Sequence, residues 1–338
     1  GAASLGYPKN SYTLEFDRDD PFDEPERAGG FVAKHKIVLT STFDDNSYLR
    51  QRLAYDLWNR IDPDHIQIQA YSAVVYLDGE YWGLYTVSDH VDSDLMAAHG
   101  LGPDGNLYKA RSHDANFGLQ DAGGSGKDTL HDGYTKQEGL PLTGPGAFDD
   151  LEDLVSWAAT SSDADFLAER ATRLEVRDFE DWWIFVTLIL ADDSAGKNSY
   201  LFHDPSGGPW RYAPWDFNHS FGQTWQTERQ PGEYEEDYIG RNRLFRRFLE
   251  LPAIAGPLRA RYDELLQGVL DVAEIRALLD EHLAETDASA RRDERKWSAA
   301  YRSYGGWSDR DDFTTYDQEV AYLEDWIDLR WAHQDGLY

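Results

Sequence analysis

The sequence predicts an α+β protein of two lobes, a small β-rich lobe over residues 1–90 and a mainly helical lobe over residues 91–338. Two patterns carry this prediction. Alternating apolar residues and a tight hairpin signal occur near the N-terminus, whereas apolar residues recur at helical spacing through most of the chain after residue 148. Hydrophobic residues make up 41% of the chain and aromatic residues 14%, which is enough for a substantial core. The lobes should meet near residues 88–92, with a cleft between them.

The N-terminal part reads as two strands, a helix and a hairpin. Tyr12 and Leu14 alternate with polar residues, as in a strand with one buried face. Leu53 and Leu57 recur at helical spacing after a turn rich in N-cap residues. The predicted elements are strands at Ser11–Phe16 and Phe31–Thr42, a helix at Tyr48–Ile61, and strands at Ala70–Leu77 and Tyr81–Ser88 joined by the turn Asp78-Gly79.

The C-terminal part is dominated by helical patterns. The segment Asp121–Gly146 is rich in Gly, Asp and Thr, which predicts a long surface loop or an insertion. Phe179–Leu190 is strongly apolar, which predicts a buried helix, and two short strands at Ser199–His203 and Trp210–Trp215 flank a turn. Further helices are predicted at Arg243–Leu251, Leu258–Val269, Val272–Ser289 and Tyr316–His333.

The charge balance restricts the partners. The chain has 63 acidic and 32 basic residues and a net charge of −31. Such a surface repels nucleic acids and attracts basic proteins and divalent cations, although it can also serve solubility alone. We therefore expect a protein substrate of basic character and no nucleic-acid partner. We further expect the protein to be a monomer.

Features that the sequence lacks exclude further types of site and classes of protein. The chain contains no cysteine, which excludes a disulfide framework and a thiolate metal site. No apolar run reaches the roughly 18 residues of a membrane span, so we expect none. The sequence begins Gly-Ala-Ala-Ser, without the pattern of an export signal. If the native protein is exported, we expect its signal to lie outside this sequence.

One stretch carries the pattern of phosphoryl-transfer chemistry. Asp193 is followed after four residues by Asn198, and a short hairpin then ends at Asp216-Phe217. Phosphoryl transfer needs a carboxylate near the attacking hydroxyl, and a carboxamide and a second carboxylate on the metal ions. This spacing is that of protein-kinase catalytic and metal-binding loops. On spacing alone, helix capping by Asp193 and a turn at Asp216 explain the residues equally well.

Seven segments spread over nearly the whole chain match the motifs of a known family. These are Pro8–Phe16, Asp45–Tyr55, Tyr76–His90, Leu107–Ala110, Asn198–Phe202, Pro214–Asn218 and Tyr322–Arg330. Together they resemble the opening strand, the helix start, the hairpin, the "L-Y-K" element, the two hallmark blocks and the closing helix of the spore-coat-H (CotH) kinase-like family. The Pro-Trp-Asp block is the most specific of them.

This resemblance implies an atypical protein-kinase-like fold and a metal-dependent kinase. Asp193 would be the catalytic carboxylate, and Asn198 and Asp216 would bind the Mg²⁺ or Mn²⁺ that accompanies ATP. Lys197, inside the same loop, could contact the transferred phosphoryl group by analogy. Because spore-coat members of the family phosphorylate coat proteins, the resemblance implies a secreted or cell-surface kinase that modifies Ser or Thr.

A kinase also needs cations on the nucleotide phosphates. The candidates are Lys34 and Lys36 on a predicted strand, Arg50 near the start of the predicted helix, and Lys9, which ranks first because it lies in the family-like motif Pro8–Phe16. For each of them a solvated strand-edge lysine or an ordinary ion pair is the alternative. Asp89 stands at the hinge position, where family members often carry Glu. No G-x-G-x-x-G loop is present, and the acidic loop Asp17–Gly30 is the candidate for covering the phosphates.

Two other functions fit parts of the sequence. A pseudokinase, or a surface or matrix attachment module that holds structural Ca²⁺, would fit the missing glycine loop and the abundant Asp clusters. A glycoside hydrolase with paired carboxylates would fit the acidic, Trp-rich composition. The hydrolase reading explains none of the ordered motifs.

Overall fold

The computed structural model describes residues 3–26, 31–307 and 310–338, except for the side chains of residues 3, 4, 192 and 239. A first antiparallel sheet is built from the N-terminal residues in the order β1-β2-β4-β3. The strands are β1 Tyr12–Glu15, β2 Lys36–Thr40, β3 Ala70–Leu77 and β4 Glu80–Asp89. The predicted strand Phe31–Thr42 is therefore regular only in its second half.

Strand β2 has one buried face and one face that points toward two cavities described below. Ile37 and Leu39 pack in an apolar cluster with the neighbouring strands. Because side chains alternate along a strand, Lys36, Val38 and Thr40 point to the opposite side. Each of these three lines one of two cavities described below.

The predicted hairpin between β3 and β4 is confirmed. Asp78 and Gly79 have φ values of 51° and 82°, as a two-residue hairpin turn requires. Helix α1, Arg50–Ile61, precedes the hairpin and buries Leu53, Leu57 and Trp58 completely. Helix α2, Ser93–Ala98, follows it.

A second antiparallel sheet lies in the part of the chain that we predicted to be mainly helical. Its strands are β5 Asn106–Ala110, β6 Tyr134–Glu138, β7 Ser199–His203 and β8 Arg211–Pro214, in the order β6-β5-β7-β8. The prediction of one long loop over Asp121–Gly146 is therefore wrong, because β6 lies inside it and pairs with β5. The strand was missed because it is short and polar.

Eight further α-helices follow in the described chain, and one of them is much longer than predicted. These are α3 Asp149–Thr160, α4 Asp163–Arg173, α5 Val176–Leu188, α6 Tyr238–Arg241, α7 Arg243–Glu250, α8 Pro252–Leu266, α9 Val272–Arg302 and α10 Tyr316–Asp335. Helix α9 continues 13 residues beyond the predicted end at Ser289. Its charged second half reaches the first sheet, where Asp293 accepts a hydrogen bond from the backbone N–H of Leu84 at 2.6 Å.

The architecture is thus α+β, as predicted, with two antiparallel sheets and helices. Over the residues described, none of the helices combines the length and the apolar character that crossing a bilayer would require. The proposed boundary between a lobe of residues 1–90 and one of residues 91–338 stays a prediction.

Candidate functional site

A cavity of about 510 Å³ lies where β2 faces the loops that follow α5 and β8. Its volume falls in the range of small-molecule sites in proteins. Val38 and Thr40 of β2 form part of one wall. Asp193, Asn198 and Asp216, predicted from the spacing of one short stretch, all line this cavity. The structure therefore brings these three residues to a common space.

Asp193 lies in the short 3₁₀ helix Asp192–Ala195, directly after the buried helix α5. One carboxylate oxygen, Oδ2, is 2.8 Å from Lys197 Nζ, and the other, Oδ1, is 3.4 Å from His113 Nε2. Burial alone would raise the pKa of Asp193, but His113, His219 and Lys197 together hold that pKa well below its usual range. Asp193 is therefore a carboxylate at neutral pH.

The partner of His113 fixes the position of its proton. Arg241 Nη2 lies 3.2 Å from His113 Nδ1, and a guanidinium can only donate hydrogen bonds. Nδ1 must therefore accept, which assigns the ring proton to Nε2, facing Asp193. Arg241 thus orients the histidine that contacts the candidate catalytic carboxylate.

His219 bridges two buried carboxylates on one side of the cavity. Its Nε2 is 3.0 Å from Asp44 Oδ2, and its Nδ1 is 3.5 Å from Asp193 Oδ2. Burial lowers the pKa of His219, but the two carboxylates outweigh it and raise the pKa to about 10. Asp44 also accepts hydrogen bonds from Tyr7, at 3.1 Å, and from Asn218. His219 is therefore an imidazolium that holds the two carboxylates together.

Asn198 and Asp216 present oxygen atoms to the cavity. Both have left-handed backbone conformations, with φ values of 61° and 63°, which Asn and Asp tolerate better than most residues. The Asn198 side-chain N–H donates to the backbone carbonyl of Asp216 at 3.1 Å, which leaves the carboxamide oxygen free to accept. Among the described residues, no cation pairs with the Asp216 carboxylate. Carboxylate and carboxamide oxygens are the ligands that Mg²⁺ prefers, so this donor set fits such an ion.

Lys9 lies elsewhere in the structure. It is fully buried, 3.0 Å from Asp293 Oδ1, and it donates to the carbonyl of Leu84 at 2.6 Å. Burial, partly opposed by Asp293, lowers the pKa of Lys9 to about 8. Lys9 does not line the cavity, so the predicted nucleotide contact receives no support from the structure.

Arg50 is likewise enclosed by its own partners. Its guanidinium is completely buried, 2.7 Å from Asp45 Oδ1 and 2.6 Å from Glu319 Oε1. It also donates to the carbonyl of Ser220 at 3.1 Å. Arg50 therefore ties α1 to α10 and does not reach the cavity. Among the described lysines and arginines, Lys197 and the exposed Arg111 line the cavity.

Lys36 and Asp89 lie together at a second cavity of about 400 Å³. Asp89 forms an ion pair with Lys34 at 2.7 Å and accepts from the backbone N–H of Gln69 at 2.8 Å. Within the described part of the proposed phosphate-covering loop, residues 17–26 line neither cavity. Residues 27–30 of that loop lie outside the described part of the chain.

One group of side chains within residues 3–26, 31–307 and 310–338 has the spacing of a metal site apart from this cavity: Asp62, His65 and Asp181. His65 Nε2 is 3.4 Å from Asp181 Oδ2, and Arg261 contacts the same carboxylate at 3.2 Å. Calcium prefers a shell of oxygens, which a histidine and an arginine-paired carboxylate do not provide. The expected structural Ca²⁺ stays a prediction without support from this group.

Sequence reasoning missed part of the cavity wall. The sequence predicted no role at the cavity for Asp44 or His219. The two contact each other across 175 positions of the chain. His113 and Arg111 lie outside the motifs recognised in the sequence. The available signal was the position of His219 directly after Asp216-Phe217-Asn218.

The family model described as "CotH kinase protein" matches residues 1–333 of the chain. A curated relative is the inner spore coat protein H of Bacillus subtilis (strain 168), which is 26% identical over 243 residues. That alignment covers 71% of this chain and 63% of the relative, so the match spans less than two thirds of the relative's length. Since the family match covers nearly the whole chain and the hallmark residues meet at one cavity, the chain belongs to the CotH kinase protein family.

Proposed function

We propose that this protein is a metal-dependent protein kinase that transfers the γ-phosphate of ATP to Ser or Thr of other proteins, and to itself. The observation that carries the proposal is the convergence of Asp193, Asn198 and Asp216, with Lys197, on one cavity. In this proposal the first sheet and the helical remainder act as the two lobes of a kinase-like fold. The family name supports the reaction class.

The nucleotide would lie along the outward face of β2. Lys36 lines the second cavity and Val38 and Thr40 line the first, so one face of a single strand borders both. We place the base and ribose in the cavity with Lys36 and Asp89. The phosphates then extend toward Lys197 and Arg111, whose positive charges offset the negative charge of the triphosphate.

Asp216 and Asn198 would hold Mg²⁺ or Mn²⁺ through their side-chain oxygens. Held there, such an ion would supply positive charge to offset the charge that develops on the leaving group. The chain's own contribution is geometric. The hydrogen bond from Asn198 to the Asp216 carbonyl fixes the separation of the two loops that carry these ligands.

Asp193 would position the acceptor hydroxyl in line with the γ-phosphorus. A bond forms between the acceptor oxygen and phosphorus, the bond from the γ-phosphorus to the bridging oxygen breaks, and ADP leaves. The hydroxyl proton passes to Asp193 and then to solvent. Since the pKa of Asp193 is well below its usual range, its main effect is orientation, which suits a loose transition state with late proton transfer.

The relative is named as an inner spore coat protein, which associates it with a surface layer. We extend this to the present chain as a proposal and place it at the cell surface or in the secreted fraction. Its acceptors would then be proteins of the same compartment.

The decisive experiment measures phosphate incorporation from γ-labelled ATP with Mg²⁺ or Mn²⁺. We expect wild-type protein to label itself or an added protein on Ser or Thr, and Asp216→Asn to reduce labelling at least about 100-fold. Asn keeps the left-handed backbone at this position acceptable, so folding should be preserved. Asp280→Asn, on the exposed side of α9, is the matched control. Undiminished labelling by Asp216→Asn would remove metal-assisted transfer at this site.

A second candidate is a pseudokinase that binds nucleotide without turnover. The observation in its favour is that both oxygens of Asp193 already have partners in His113, His219 and Lys197. Thermal melting with ATP–Mg²⁺, Ca²⁺ alone and buffer separates the candidates. Stabilisation by ATP–Mg²⁺ without any label transfer would favour the pseudokinase, and stabilisation by Ca²⁺ alone would favour an attachment module.

A further inference from the structure

A larger cavity, of about 810 Å³, adjoins the candidate active site. His113 lines both cavities. Ala195 also lines the larger one, and it belongs to the same 3₁₀ helix as Asp193. An extended segment in this cavity would therefore lie beside the carboxylate that positions the acceptor hydroxyl.

The charge of this cavity is opposite to that of the protein as a whole. Arg241, Arg243 and Arg246 line it, although the chain has a net charge of −31. Asp121 also lines the cavity, but its Oδ1 accepts from the backbone N–H of Ser125 at 2.8 Å, and within the described chain it forms no ion pair with Arg243 or Arg246. The cavity is therefore a local basic site on an acidic molecule.

Two of the three arginines are available for a ligand. Arg241 is engaged, since it is 2.6 Å from Glu236 Oε1 and donates to His113. Arg243 has its nearest carboxylate, on Glu250, at 3.8 Å, which is beyond hydrogen-bond distance. Arg246 is half-buried and, within the described chain, forms no ion pair. A planar guanidinium binds carboxylates with paired hydrogen bonds, so these two groups are suited to an anionic side chain.

The cavity is held rigidly to the active site. The side chain of Asn242 donates to the carbonyl of Ala195 at 2.7 Å and caps α7, the helix that carries Arg243 and Arg246. The backbone N–H of Arg243 donates to the carbonyl of Asn116 at 2.8 Å on the opposite wall. Two walls and the Asp193 helix are thus fixed relative to one another, as a site that sets the register of a bound segment requires.

We propose that this cavity binds the acceptor protein through acidic residues next to the modified Ser or Thr, with Arg243 and Arg246 as the carboxylate-binding groups. The proposal rests on the kinase function given above and names the substrate class for the same site. It differs from the basic acceptor that the net charge alone predicts. At physiological salt the repulsion from acidic residues more than roughly 8 Å away is screened. The nearby arginines therefore determine which charge on a bound peptide is favoured.

The test compares short fluorescein-labelled peptides that carry one serine flanked by glutamates, glutamines or lysines. Their binding is measured by fluorescence anisotropy without nucleotide, so that it does not depend on phosphate transfer. We expect the glutamate peptide to bind wild-type protein roughly tenfold more tightly than the glutamine peptide. The Arg243→Gln/Arg246→Gln double variant should lose this preference, and Arg295→Gln, an exposed arginine of α9, should keep it. Equal binding of the glutamate and glutamine peptides, or an unchanged preference in the double variant, would overturn the proposal.

Phosphate incorporation into the same peptides separates this proposal from the kinase function. We expect a lower KM for the glutamate peptide with wild-type protein, and a similar kcat for all peptides that are modified. Transfer to the peptides without any preference for glutamate would count against the site and leave the kinase function standing. A glutamate preference in binding with no transfer to any acceptor would count against the kinase function instead.

Discussion

The protein uses its charged side chains in two different ways, and the contrast separates structural groups from functional ones. In the interior, Lys9 and Arg50 are completely buried, and carboxylates and backbone carbonyls occupy their donors. At the 510 Å³ cavity, Asp193 shares its oxygens among Lys197, His113 and His219, whereas Asp216 forms no ion pair in the described chain. A charge left without a partner at a cavity wall is available for a ligand, whereas a buried and satisfied one stabilises the fold.

Removing one of the buried charges, such as Lys9 or Arg50, should therefore have the largest effect on stability. Lys9→Met keeps the length of the side chain but leaves Asp293 buried without its cation, and we expect the free energy of unfolding to fall by about 3 kcal/mol or more. Urea denaturation at neutral pH measures the change. Lys296→Met, at an exposed position on the same helix, is the control and should cost less than about 1 kcal/mol.

A second variant tests the reason for that loss. Adding Asp293→Asn to Lys9→Met removes the unpaired charge while keeping an acceptor for the N–H of Leu84. We expect the double variant to recover a large part of the lost stability. A loss below about 1 kcal/mol for Lys9→Met alone would show that the interior set is not structural, and would reopen a nucleotide contact for Lys9.

The structural elements predicted best from the sequence are those whose formation depends on residues close together in the chain. The hairpin and the strand Ala70–Leu77 follow from local alternation and turn chemistry, and the structure has that strand with the predicted bounds. Strand β6 is stabilised by its pairing with β5, so its own polar residues give no strand signal in the sequence. The second half of α9 is charged and contacts the first sheet through Asp293, and no local pattern in the sequence indicates that contact.

The same division holds for the candidate site. Asp193, Asn198 and Asp216 were found because they lie in one short stretch with a known spacing. Lys9 and Arg50 sit in family-like motifs, but a motif fixes a position in the chain and not the direction of a side chain. Asp44, His113 and the arginines of the larger cavity come from distant segments, and their convergence is a property of the tertiary fold alone.

His219 belongs to both sets, because it lines the cavity and also bridges the buried Asp44 to Asp193. Its pKa is raised to about 10 in the folded protein, against about 6.5 in an unfolded chain. Below pH 6.5 both states carry the proton, and the full stabilisation is present. Between pH 6.5 and 10 the folded protein keeps a proton that the unfolded chain loses, so this stabilisation decreases by up to about 1.4 kcal/mol per pH unit.

The pH dependence is measured as a difference between wild type and His219→Gln. This comparison cancels groups that titrate in the same window, such as Lys9, whose pKa is lowered to about 8 and which acts in the opposite direction. We expect the stability advantage of wild type over the variant to shrink steadily from pH 7 to 10 in chemical denaturation. An advantage that does not change with pH would mean that His219 is not a charged bridge.

Of the variants considered, substitution of Lys197 should change the free energy of unfolding least but should lower activity strongly. Its ammonium is 2.8 Å from Asp193 Oδ2, but a quarter of the side chain is exposed, so solvent screens the pair. We expect Lys197→Gln to change the free energy of unfolding by less than about 1 kcal/mol. If the lysine contacts the transferred phosphoryl group, the same change should lower kcat about 100-fold, with Lys197→Arg retaining more activity than Lys197→Gln. A loss of kcat that follows the loss of folded protein, with no difference between the two variants, would assign Lys197 to the structural set and leave Arg111 as the phosphate-binding cation of the cavity.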